Sequence, residues 1–176
     1  MTTILVSVLI TILLLILLTS VRKNNHTRLD VEVEKQKILT LLVEKSGLVK
    51  EIINFAGIAF KDESLPKTVG WNFSNYNQNH LKKTGIYSSS VNGCKITIYI
   101  RKLKTVEEIV NVVLHEMAHH HQYQLDQKNY DRNYNRFSRK VGYYHNPYEI
   151  EAREFAKKWS VPCANHLIEK GMLEFI

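Results

Sequence analysis

The stretch TVEEIVNVVLHEMAHHHQYQL, residues 105–125, reads as one helix with a defined start. Thr105 and Glu108 stand three residues apart and form a capping box, each side chain taking up a backbone N–H of the first turn. An apolar stripe follows at Val106, Ile109, Val110, Val113, Leu114 and Met117, the spacing of a helix buried on one face. With Val106 at zero, the stripe spans roughly 60° on either side, while His115 and His119 fall at roughly 180° and 220°. Core on one face and histidines on the other describe a helix that lines a cleft.

Within that stretch His115-Glu116-Met117-Ala118-His119 is an HExxH. Imidazoles four residues apart share a face, with Cβ atoms roughly 6 Å apart, so both can reach one tetrahedral Zn²⁺ at about 2.0–2.1 Å. One zinc ion per chain is the implied cofactor. Glu116 is rotated by about 100° from His115, which suits a general base beside the metal better than a ligand. His120 falls near the apolar stripe and reads as a packed or hydrogen-bonded histidine; neither it nor His121 is counted as a ligand.

A histidine pair needs a third protein ligand. Gln122 and Leu125 exclude the longer HExxHxxGxxH form, so the ligand comes from farther along. Residues 146–156, NPYEIEAREFA, open a further helix to about Trp159, with Asn146 as N-cap and Pro147 at its first position. On it Ala152, Phe155, Ala156 and Trp159 form the apolar stripe, with Glu149 about 60° from the stripe's centre and Glu151 about 100° away on the other flank. Glu149 is therefore the first candidate. Its alternative role is the N3 residue of a capping box with Asn146. His145 and then Glu151 are the next candidates for the metal.

Outward from these helices, segments around Gly85–Ser89 and Lys95–Ile100 flank Asn92-Gly93, a strong hairpin signal. Val69–Phe73 is a candidate strand within an otherwise loop-like region. Residues 31–60 read as helical with a break near Ser46-Gly47, and Pro162 is read as opening a last short helix. The expected class is α+β: a small hairpin or sheet, an active-site helix and C-terminal helices. Tyr143, Tyr144, Tyr148 and His145 are the candidates for stabilising a developing oxyanion beside the metal. Cys94 and Cys163 stand in no metal-type spacing and read as packed or spare thiols.

The chain has 176 residues, 44% apolar and 23% charged, a balance that excludes a largely disordered protein. Charge is unevenly placed, since residues 1–21 carry none and all 24 Lys and Arg fall after them. An uncharged helix of that length reaches roughly 31 Å, close to the bilayer's hydrocarbon thickness. Residues 1–21 are therefore expected to be a single-pass anchor in the lipid bilayer, residues 22–34 a juxtamembrane linker and residues 35–176 the folded domain. Arg22, Lys23 and Arg28 predict that this domain lies on the cytoplasmic side.

HExxH followed after some 30 residues by Glu149-x-x-Ala152-x-x-Phe155-Ala156 resembles the small gluzincin-type zincin metallopeptidases. The pattern is closest to that of the ImmA/IrrE-like and HtpX-like membrane peptidases, over roughly residues 85–160. The resemblance implies a zincin-like domain that hydrolyses a polypeptide substrate, with Glu149 as the third zinc ligand. It also implies that the strand before the active-site helix, Lys95–Ile100 with Ile96, Ile98 and Tyr99, binds substrate as an added β-strand. Arg153 is a departure, because such families carry Asp or Asn there to orient a zinc-bound histidine, and a cation cannot accept an imidazole N–H.

The rival reading is a membrane-tethered basic binding domain with a non-catalytic zincin fold. It rests on Arg132, Arg136, Arg139 and Lys140 interleaved with Tyr130, Tyr134 and Phe137. Asp126 and Asp131 interrupt the cluster, and no known reading module contains it, which argues for a solvated segment over a nucleic-acid surface. Oligomeric state has no signature in the sequence.

Overall fold

The computed structural model describes residues 47–74, 83–90 and 92–173, together with 33, 37, 39–41 and 43. The chain divides into two compact units, residues 1–38 and 39–176. In the first, the described residues 33 and 37 are helical. The expected anchor and nearly all of the linker lie outside the described residues. Among the described residues no helix is long and apolar enough to cross a membrane.

In the second unit, where Leu39 and Val43 already belong to the core, the first helix with described bounds is α1, Leu48–Phe60. Gly47 starts it at φ 66°, a left-handed conformation that glycine adopts without a Cβ penalty and that breaks the helical stretch where the sequence suggests. The apolar face of α1 buries Val49, Ile52, Ile53 and Ala56. Three strands follow: β1 Val69–Phe73, β2 Gly85–Ser90 and β3 Gly93–Ile98. β2 and β3 form the antiparallel hairpin expected at Asn92-Gly93. β1 pairs with β3 in parallel, giving the order β1-β3-β2.

That order corrects the expectation for Lys95–Ile100. With β1 on one side and β2 on the other, β3 has no free edge to accept a peptide strand. Ile96 and Ile98 are fully buried, and the strand ends at Ile98, so Tyr99 lies beyond it and Ile100 belongs to a short 3₁₀ turn. The signal that hid this is β1, whose parallel pairing joins residues some 25 positions apart in the chain.

α2, Val106–Leu125, has both hydrogen bonds of the Thr105/Glu108 capping box. Its apolar face carries Ile109, Val113, Leu114 and Met117 into a single core with α1, the sheet and the last helix. α3, Tyr130–Val141, is a helix that the sequence reading leaves without an element. Its inner face is aromatic, with the Tyr130, Tyr134 and Phe137 rings against Tyr148 at centroid distances of 5.3, 6.1 and 6.2 Å. α4, Pro147–Glu169, starts as expected at Asn146, whose side chain accepts from the Tyr148 N–H. The amide nitrogen of Asn146 donates to Tyr134 O and Ser138 Oγ, which fixes α3 to the start of α4.

α4 does not stop at Trp159. Pro162 lies inside it, on the exposed side, while Cys163 and Leu167 beyond it are fully buried. An interior proline costs about 3 kcal/mol. Burying Leu167 alone returns about 1.5–3 kcal/mol, and Cys163 and the continuing backbone hydrogen bonds add to it.

Candidate metal centre

The capping box and the core stripe of α2 leave one face of its C-terminal half turned toward the start of α4. From that face come His115 and His119, and from the first turn of α4 comes Glu149. His115 Nε2 lies 3.2 Å from His119 Nε2 and 3.3 Å from Glu149 Oε2, and His119 Nε2 lies 3.4 Å from Glu149 Oε1. These are the lengths expected for the edges of a tetrahedron whose centre is about 2.0–2.1 Å from each corner, roughly 3.3–3.4 Å. Among the described residues this is the group of three that could hold a metal ion. Glu149 Oε2 is buried with no hydrogen-bond partner among the described residues, as a ligand atom awaiting a cation would be.

The tautomer of His119 follows from its neighbours. Gln122 Nε2 donates to Tyr148 O at 3.0 Å and to Glu151 Oε2 at 2.9 Å, which turns Gln122 Oε1 toward His119 Nδ1 at 2.9 Å. His119 Nδ1–H must donate to that oxygen, leaving the Nε2 lone pair facing His115 and Glu149. The Tyr130 hydroxyl stands 3.2 Å from the same Nδ1. Gln122 thus supplies the orienting acceptor that Arg153 cannot. Glu151 is one step farther out, holding Gln122.

Glu149 is held from a second direction by the Tyr134 hydroxyl, which donates to Oε1 at 2.5 Å. Burial alone would raise the Glu149 carboxyl, but His115, His119 and Tyr134 together hold it well below the usual carboxylate range. Glu116 is buried beside the triad, and burial pushes its carboxyl upward against the opposing pull of His115 and His119. The Tyr87 N–H of β2 donates to that carboxylate. β2 comes so close here that a Cβ on Gly85 would lie 2.6 Å from Val112 Cγ1 and 2.9 Å from Glu116 Oε1. Only glycine allows the strand to run at this distance.

Two cavities meet at His115 and Glu116. One, of about 290 Å³, runs under β2 past Tyr87, Ser88 and Ser89 to His119, Tyr134 and Glu149. The other, of about 560 Å³, opens on the far side of His115 and Glu116 toward Arg153 and Lys157. Tyr143 lines both and lies against Glu149, and its phenol is driven up first by burial and then by that carboxylate, so it is a hydrogen-bond donor.

Of the other oxyanion candidates, Tyr144 lines the larger cavity and is largely exposed. His145 is exposed and lines neither cavity. The Tyr148 ring is packed among the α3 aromatics, and its contribution is the carbonyl that holds Gln122. Tyr134 and Gln122 are the residues whose role at the metal centre the sequence does not announce, Gln122 standing there only against the longer motif and Tyr134 only within the basic cluster. The basic residues Arg132, Arg136, Arg139 and Lys140 line a separate shallow depression on α3, away from these groups.

A family model described as SprT-like matches residues 49–154, more than half of the chain. The chain belongs to the SprT-like family. This is a zinc-binding, zincin-like family related to metallopeptidases, and the α+β arrangement of helices around a three-stranded sheet is compatible with its fold. No curated protein and no solved structure matches the chain. The SprT-like match spans α1 through the metal triad and ends about two turns into the helix that carries Glu149. This membership bears out the zincin-like class that the resemblance implied, with SprT-like as the family.

Proposed function

We propose that this SprT-like chain is a membrane-anchored zinc metallopeptidase with a gluzincin-type ligand set, His115, His119 and Glu149. The observation that carries the reading is the triad of donor atoms 3.2–3.4 Å apart with a buried carboxyl, Glu116, beside it. Zinc bound by these residues would polarise a carbonyl and acidify a water. Glu116, as the carboxylate whose proton affinity burial increases, takes the proton of the attacking water and returns it to the leaving amine. The Tyr143 phenol donates to the carbonyl oxygen as charge develops on it.

Substrate enters along the outer edge of β2, which borders the cleft and has no partner strand among the described residues. Main-chain hydrogen bonds to that edge give affinity that tolerates many sequences. The anchor proposal rests on the uncharged residues 1–21, and the cytoplasmic placement rests on Arg22, Lys23 and Arg28.

Glu116→Gln should retain about one zinc per chain and lose 10²–10⁴-fold in peptide hydrolysis, read by metal analysis and a fluorogenic peptide assay. Undiminished hydrolysis in that variant would sink the mechanism. Salt-sensitive nucleic-acid binding that survives chelation would favour the basic depression on α3 as the working surface instead.

A further inference from the structure

The larger cavity differs in charge from the rest of the cleft. Lys83, Arg153 and Lys157 line it, and among its described lining residues the one anion is Glu116, the general base. The smaller cavity shares Lys83 and Glu116 with it but lacks Arg153 and Lys157, and adds Glu149, Asp131 and a row of hydroxyls at Ser88, Ser89, Tyr130 and Tyr134. Among the described residues neither lysine is paired with a carboxylate, and Arg153 reaches one only at the limit of ion-pair distance. Arg153 uses Nη2 to donate to Tyr144 O, while its Nη1 has no hydrogen-bond partner among the described residues and stands 4.0 Å from Glu149 Oε2. Lys83 Nζ lies 5.8 Å from the centroid of the Tyr143 ring. The Lys157 ammonium has no hydrogen bond or ion pair among the described residues and is exposed at the mouth.

We propose that this half of the cleft is a carboxylate subsite, in which Lys83, Arg153 and Lys157 select peptides with an acidic group beside the scissile bond. The inference rests on the peptidase reading and names its substrate class. The cavity adjoins His115 and Glu116, so a side chain placed in it belongs to a residue flanking the bond that is cut. Its volume of about 560 Å³ admits a glutamate side chain with its water. Arg153 contributes a fixed positive charge at the cavity wall, its Nη2 held by Tyr144 O and its Nη1 buried, and the two ammonium groups add mobile donors that can reach a carboxylate. Val112 and Ala156 give the walls that would pack the side chain's methylenes. Because Asp131 lies at the opposite end, the field along the cleft also favours one direction of peptide binding.

Partly exposed cations of this kind are expected to discriminate by roughly tenfold in total. The test uses the full chain loaded with zinc and a set of fluorogenic peptides identical except for Glu or Gln at each position around the scissile bond. All have amidated C-termini, and a second neutral set has free C-termini. Glu at one flanking position should raise kcat/KM about tenfold over Gln, with the preference fading at 1 M salt. Lys157→Glu combined with Lys83→Glu should reverse the preference. A gain with the free C-terminus and none with the side chain would assign the carboxylate to a chain end. Equal cleavage of Glu and Gln peptides, with no gain from a free terminus, would overturn the subsite and leave the peptidase intact. Should no peptide be cut, binding of the same peptides to zinc-loaded Glu116→Gln by fluorescence anisotropy decides separately. Tighter binding of the Glu peptide that Lys157→Glu abolishes supports the subsite, and equal binding overturns it.

Discussion

His119 and His120 are neighbours in the chain, identical in chemistry and both buried, yet they serve different faces of α2. His119 has one nitrogen committed, Nδ1 to Gln122, and one lone pair turned toward His115 and Glu149. His120 has both nitrogens committed. Thr68 Oγ1 gives its proton to Leu65 O and so accepts from His120 Nε2–H at 2.8 Å, and the Tyr87 hydroxyl supplies Nδ1 at 3.2 Å. A rotation of about 100° between successive residues separates a ligand from a bracket of the core. What makes the ligand is the unspent lone pair, and the count of partners on each ring decides it.

The strongest way to break this contrast is to delete each ring in turn. His119→Ala should take the purified chain from about one zinc to near none and abolish hydrolysis, because two donors do not hold the ion. His120→Leu should keep the metal and most of the activity per folded molecule, while losing about 1–3 kcal/mol of stability by leaving Thr68 and Tyr87 partly unsatisfied. Metal analysis and chemical denaturation on both variants separate the two roles. Loss of zinc in His120→Leu at full folding would erase the distinction.

A finer test concerns the partner rather than the ring. Gln122→Leu removes the acceptor that orients His119 and should weaken zinc binding by about 10–100-fold, with the fold retained. Gln122→Glu keeps an acceptor and should recover much of the affinity in competition with a chromogenic chelator. Similar affinities for the Leu and Glu variants would mean that Tyr130 alone fixes the ring.

Residues whose role depends only on their own element were legible in advance. The HExxH face, the capping box and Gly47 follow from helical periodicity and from backbone chemistry within a few residues. Glu149 also emerged, because its place at the edge of a helical stripe is a local property of residues 146–159. Gln122 and Tyr134 did not, because each acts across an interface: Gln122 reaches Tyr148 and Glu151 on α4, and Tyr134 reaches Glu149 from a helix whose polar outer face masks its aromatic inner one. The sheet order failed for the same reason. Nothing in Val69–Phe73 says that it pairs with β3 and thereby passes the free edge beside the cleft to β2. Pro162 misled through a real local cost that burial of Cys163 and Leu167 outweighs.

The smallest effect is the one most specific to the core-facing ring. Burial pushes the His120 imidazole down to about 4 from its ordinary value of 6.5. In the unfolded chain it takes a proton as pH falls through about 6.5, while in the folded chain it stays neutral until about pH 4. Its contribution to stability is therefore present in full above about 6.5, declines as pH falls through that value and levels off below about 4. Between pH 7 and 5.5 the loss amounts to about 1 kcal/mol. The metal-free chain isolates this term, since zinc release would otherwise dominate in acid. Denaturation curves of the wild type and His120→Gln should converge by that amount across the window, because contributions common to both chains cancel in the difference. Parallel curves would show that His120 accepts a proton in place, with the Tyr87 hydroxyl turning to receive it, and the ring would then be a tolerant bracket rather than a neutral one.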